Sequence, residues 1–352
     1  MIFSDILNKK QELMGFAIIW VFLFHSQFGQ NIFLIKEVIG FGSHGVDIFF
    51  FLSALGLSHS LSKNSNTLAF YSRRFWRIVS TFLFFLIVIH LVGSLLGYPH
   101  PKTLIQNLCW YTTIGWWING FFKDPYCYFY EWYIPTLILF YAFAPILYKC
   151  SKKSLLTIML LSTMLSLIFS FFGILETIYW SYQRIAIYVE GFIFYKLIKY
   201  HSLDRSIKEL LLVSFSVGVI LLLFSSHISS EQKIFTAAIY RCSMVLGMPV
   251  FLYLLSATIC RTPFLQSFLR VCGTLSLELY LLHIYNRPLS FVRDYILENK
   301  SLSVILTFFI LIILAYIINY FIKIITPCIQ MLFKYIQNHM IRKMIHYCGW
   351  SW

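Results

Sequence analysis

Two histidines, His25 and His283, lie inside otherwise apolar runs of the chain. Imidazole changes charge near neutral pH, so it can take a hydroxyl proton and hand it back. Ionisable groups in apolar runs are costly and commonly mark a pathway or a site. His25 falls about twelve residues into the run 13–29, or ~18 Å along a helix at 1.5 Å per residue. His283 falls about thirteen residues into the run 270–289, which points the same way in the layout below. The pair should therefore share a depth, somewhat beyond the midplane of a bilayer. Asp47 enters the run 45–62 from that same side, and Glu131 stands at the mouth of 132–149; Arg184, Glu190, Arg241 and Glu278 add further charge. A single histidine in such a run often does no more than bond a carbonyl of a neighbouring helix. Two at one depth, with carboxylates close in the layout, favour chemistry.

A second cluster reads FYSRRFWRI, residues 70–78. Arg73 and Arg77 are four apart and share a helix face, with Arg74 beside them. Planar guanidinium groups suit bidentate phosphate binding. The same spacing suits an anchor against anionic lipid headgroups, and spacing alone favours that reading.

The elements that must hold these groups are membrane spans. Of 352 residues, 59% are hydrophobic and 12% charged, with mean hydropathy +0.75; a soluble domain is roughly a quarter charged. Spans of about 20 apolar residues are expected at approximately 13–29, 45–62, 78–97, 132–149, 154–173, 184–199, 209–226, 237–258, 270–289 and 302–326. The result is an all-α, polytopic bundle of about ten spans forming one domain across 1–352. The aromatic stretch 104–122 contains Asn, Thr and Gly and reads as an interfacial or re-entrant segment. Placing both termini in the cytoplasm puts most of the 28 Lys and Arg on that side, as insertion prefers. The net charge of +14 is thus absorbed by topology, and no nucleic-acid partner is expected. The eight cysteines show no metal-ligand spacing and no disulfide framework, so buried free thiols and no metal are expected. Lys9 and Lys10 precede the first run without a small-residue cleavage site, so that run is expected to stay as an anchor.

Five segments, in order, resemble the acyltransferase-3 family of integral membrane acyltransferases. MGFAIIWVFLFHS is similar to the family's first helix, which ends in a characteristic His, here His25. HGVDIFFFLSALGL resembles its Gly-Val-Asp-Phe-Phe-x-Leu-Ser-Gly signature, and FYSRRFWRI its basic segment. EWYIPTLILFYAFAPIL and LSLELYLLHI resemble its Trp-Tyr-x-x-Pro and Ser-x-x-Leu-Tyr-x-x-His helices. The family commonly has Lys or Arg eleven residues before the first His, where this chain has Met14; Lys9 and Lys10 lie one or two turns away. Ala54 replaces the signature Gly, and Ser80 stands where Pro is common.

The resemblance implies transfer of an acyl group, commonly acetyl, from cytoplasmic acyl-CoA to a hydroxyl of a sugar or envelope polysaccharide. It also implies a multi-pass protein of a bacterial-type cell membrane, surrounded by lipid, without the soluble esterase-like domain of some relatives. His25 carries over as the catalytic residue, acting as base or accepting the acyl group, with His283 and Asp47 beside it. Arg73, Arg74 and Arg77 carry over as donor-side residues. Glu131, Trp132 and Tyr280 are expected to line the acceptor entrance. Two readings compete with this one. A transporter or flippase for a lipid-linked sugar would use the same buried charges as a proton relay, although no internal repeat is evident. An inactive relative in polysaccharide assembly is the other, and Met14 is what favours it.

Overall fold

The computed structural model describes residues 4–26, 28, 32–64, 66–96, 101–123, 131–200, 204–225, 232–258, 262–284 and 300–347. The described residues are helical throughout, with no strand among them. Helices α1 (Ser4–Asn8), α2 (Lys10–His25), α3 (Phe33–Gly40), α4 (Gly45–Lys63) and α5 (Thr67–Leu96) open the chain, with a 3-10 turn, Phe41–His44, joining α3 to α4. Two short helices follow, α6 (Leu104–Tyr111) and α7 (Ile114–Phe122). Then come α8 (Tyr133–Lys149), α9 (Lys152–Phe171), α10 (Tyr179–Tyr182), α11 (Ile185–Tyr200), α12 (Arg205–Ser225) and α13 (Lys233–Thr258). Helices α14 (Pro263–Thr274), α15 (Ser276–Ile284) and α16 (Lys300–Tyr347) complete it.

Each of the ten expected spans coincides with a helix or helix pair. Six helices among the described residues are long and apolar enough to cross a bilayer: Ile35–Lys63, Thr67–Leu95, Lys152–Phe171, Arg205–Ser225, Lys233–Thr258 and Leu302–Met331. Helices α2 and α11, at 16 residues each, and α8, at 17, are shorter than a full span. The expected span 270–289 is not straight. It is the joint between α14 and α15, bent by 68° at Leu275, and its last five residues lie outside the described ones. The aromatic stretch 104–122 forms α6 and α7, turned at Thr113, whose φ of 63° is left-handed. Residues 124–130 of the longer aromatic segment lie outside the described residues. Cys109 is buried; Cys272 is buried and free, Cys150 and Cys242 are free and half-buried, and Cys328 is free and exposed. Cys127, Cys260 and Cys348 lie outside the described residues.

Helix α4 is the axis of the bundle. It is buried along most of its length, with Phe49, Phe50, Phe51, Leu52, Ala54 and Leu55 all inside, the pattern of a helix enclosed by others. Helix α11 lies against it through Gly191, where a Cβ would strike the Phe51 carbonyl at 2.5 Å. Helices α2 and α14 approach still more closely. A Cβ on Gly15 would collide with the Leu269 carbonyl, and one on Gly273 with the Gln11 carbonyl. Glycine at both positions lets two backbones touch, and the buried Glu12 adds an ion pair to Arg270 at 2.6 Å across the same contact. By contrast α12 leaves Leu210, Val213, Ile220, Leu223 and Phe224 exposed, the surface expected against lipid tails.

Candidate active site

The first group of polar side chains hangs from the far ends of α2 and α15. The ring centroids of His25 and His283 are 5.1 Å apart, so the shared depth becomes proximity. His25 is exposed, and its Nδ1 is 2.9 Å from the Val21 carbonyl oxygen one turn back. A carbonyl only accepts, so Nδ1 carries the proton and Nε2 presents its lone pair. His283 is buried. The Tyr280 ring lies 5.1 Å from that of His283.

Tyr280 joins this pair to α8. Its hydroxyl donates to Glu131 Oε1 at 2.9 Å, and its ring packs 4.5 Å from that of Tyr133. The two Glu131 oxygens also accept from the backbone N–H groups of Tyr133 and Ile134, at 2.8 and 2.7 Å. These amides belong to the first turn of α8 and have no carbonyl of their own helix to bond. The Glu131 carboxylate thus caps a helix and holds Tyr280 in place.

Asp47 belongs to a different group. Its oxygens lie 2.7 Å from His44 Nδ1, 2.9 Å from Arg184 Nε and 3.0 Å from Arg241 Nη1. Asp47 and Arg184 are wholly buried, and His44 and Arg241 nearly so. Arg184 also donates to the Trp180 carbonyl at 2.7 Å, and its guanidinium lies 4.4 Å from the Trp132 ring. Trp180 stacks on Trp132 in turn. The family resemblance sets Asp47 beside His25; in the structure its oxygens meet Arg184 just before α11, Arg241 of α13 and His44 of the 3-10 turn. Arg184 and Arg241 were visible in the sequence as buried charge, and His44 carried no signal beyond its proximity to Asp47. Trp132 meets Arg184 rather than standing open at an entrance.

The arginine cluster lies at the other end of α2. A slender cavity of about 40 Å³ runs between α2, α4, α5, α8 and α15. Lys10, Arg74 and Arg77 line it, and so do Met14, Tyr133 and Tyr280. Arg73 is exposed and is not among its lining residues. Met14 therefore occupies the cavity wall where a basic residue was expected, and Lys10 brings an ammonium to the same cavity from one turn earlier. The Lys10 Nζ rests against Gly56, where any Cβ would displace it. The cavity wall runs from Arg74 and Arg77 to Tyr280, whose ring touches His283, which in turn touches His25.

A family model for an acyltransferase domain matches residues 13–324 of the chain. The chain belongs to the acyltransferase-3 family. No curated protein and no solved structure matches it. Family membership makes this a membrane acyltransferase, and it attaches a chemical meaning to the cavity. In an acyltransferase a basic end and a proton-accepting end must be joined by a route for the acyl group. Tyr280 belongs to both the cavity wall and the aromatic contact with His283.

Proposed function

We propose that the protein transfers an acyl group, acetyl in the simplest case, from acyl-CoA to a hydroxyl of a sugar or envelope polysaccharide. The continuity from Arg74 and Arg77 through Tyr280 and His283 to His25 supports this reading. The donor approaches from the basic end with phosphate near Arg74 and Arg77, and its pantetheine arm extends toward Tyr280. His25 Nε2 accepts the hydroxyl proton as the acceptor oxygen attacks the thioester carbonyl carbon. A C–O bond forms and the C–S bond breaks. The departing CoA thiolate takes the proton from the imidazolium, which restores neutral His25. His283 packs against His25 and orients it. A one-sided Lys and Arg distribution favours a cytoplasmic donor and an acceptor on the opposite face, in a bacterial-type cell membrane.

The test is transfer of label from acetyl-CoA to endogenous glycan in membranes holding wild type or His25→Ala at equal expression. Loss of labelled ester in the variant is expected. Undiminished ester would end the proposal.

A further inference from the structure

Beside the slender cavity lies a much larger, half-open one of about 430 Å³, lined by α5, the α14–α15 joint and α16. It shares Arg77, Ser276 and Leu277 with its neighbour, so one wall serves both. The chamber exists because the chain turns by 68° at Leu275, which takes α14 away from the line of α15. Its walls are polar for a space between membrane helices: Thr81, Glu278, Asn319, Lys323 and Gln330 join Arg77. In size it falls within the range of small-molecule and cofactor sites, about 300–1,000 Å³. The slender cavity does not.

Charge in the two cavities is strongly one-sided. Lys10, Arg74, Arg77 and Lys323 line them, against Glu278 as the one acidic side chain among the described lining residues. Glu278 is buried, and one of its oxygens accepts from Asn319 at 2.7 Å, which draws the carboxylate toward α16. Lys323 lies about 32 Å along α16 from Leu302 at 1.5 Å per residue, at the far boundary of a core ~30 Å thick. It is therefore level with Arg77, which faces the same space.

We infer that this chamber seats the phosphate-bearing nucleotide end of the thioester donor, with Lys323 and Arg77 as its phosphate ligands. The inference rests on the donor reading above and extends it to a residue outside the arginine cluster. The thin arm then passes the shared wall at Ser276 and Leu277 toward Tyr280, and the bulky end stays behind in the space large enough for it.

The experiment compares acetyl-CoA with S-acetyl-pantetheine, which lacks the nucleotide, in wild type and Lys323→Gln reconstituted in phosphatidylcholine nanodiscs. KM for acetyl-CoA is expected to rise about tenfold relative to KM for S-acetyl-pantetheine, the scale of one charge-assisted contact. An equal rise for both donors, or no rise, overturns the inference. Thermal melting with CoA, pantetheine or added phosphatidylglycerol provides a readout independent of turnover. CoA should stabilise wild type more than pantetheine does, and Lys323→Gln should erase the difference. If the variant loses only stabilisation by phosphatidylglycerol, the chamber holds a lipid headgroup and the inference fails. A wild type that turns over neither donor, yet is stabilised by CoA through Lys323, removes the proposed reaction and leaves the chamber assignment standing.

Discussion

The Asp47 cluster and the His25–His283 pair are both built from charged or titratable groups near the same end of the bundle, yet their bonding is opposite. In the Asp47 cluster one carboxylate is shared among two guanidinium groups and an imidazole, and aromatic rings cover Arg184. In the histidine pair His25 keeps Nε2 uncommitted, and the His283 ring packs against it and against Tyr280. A buried polar group with its partners in place fixes a fold, whereas one held in position without partners can still accept a proton. The contrast suggests that α4, α11 and α13 are pinned by Asp47, and that chemistry is left to α2 and α15.

His25→Ala probes one side of this contrast with the largest expected effect. Loss of a general base should lower the transfer rate by about 10²–10⁴-fold, with an unchanged melting temperature in detergent. A parallel fall in melting temperature would move His25 to the structural side. Asp47→Ala should do the reverse. It strands two buried guanidinium groups, and breaking a buried pair costs about 3–5 kcal/mol, so the variant should melt early or fail to accumulate. A well-folded Asp47→Ala protein without activity would merge the two regions into one site.

Tyr280→Phe addresses the junction. It removes one hydrogen bond to the Glu131 carboxylate, worth about 1.5–3 kcal/mol for a charged acceptor, and leaves the ring packing intact. A moderate loss of stability with a smaller loss of rate is expected, read by melting and by initial rates. The least effect should come from Arg73→Gln, because Arg73 is exposed and away from the cavity. Its KM for acetyl-CoA should change by less than about twofold, while Arg74→Gln raises KM by about tenfold, in line with one charge-assisted contact. Equal effects would mean that the cluster acts as a diffuse headgroup anchor.

The helices were legible in the sequence because apolar run length alone positions them. The equal depth of His25 and His283 was legible, since both runs point the same way and helical rise is constant; their contact was not, because depth does not fix which helices are neighbours. The 68° joint was not read, because no proline marks it, although Gly273, Thr274 and Ser276 around Leu275 are of the small and polar types found where helices end. Hydropathy reports composition, and it does not change where the axis turns. The partners of Asp47 were hidden for another reason: Arg184 and Arg241 belong to distant segments, and only packing of α11 and α13 on α4 brings them together. Glu131 offered a signal that was overlooked. A carboxylate just before an aromatic helix start has the placement of a cap, and capping is what it does.

The glycine contact between α2 and α14 has a mechanical consequence. Two helices whose backbones touch at Gly15 and Gly273 move as one strut, so His25 is fixed relative to everything before Leu275. His283 lies on the other side of that elbow. The gap between the rings therefore follows the elbow angle together with the packing of α15 on α2, and a side chain wedged into the elbow could retune the pair without touching either imidazole.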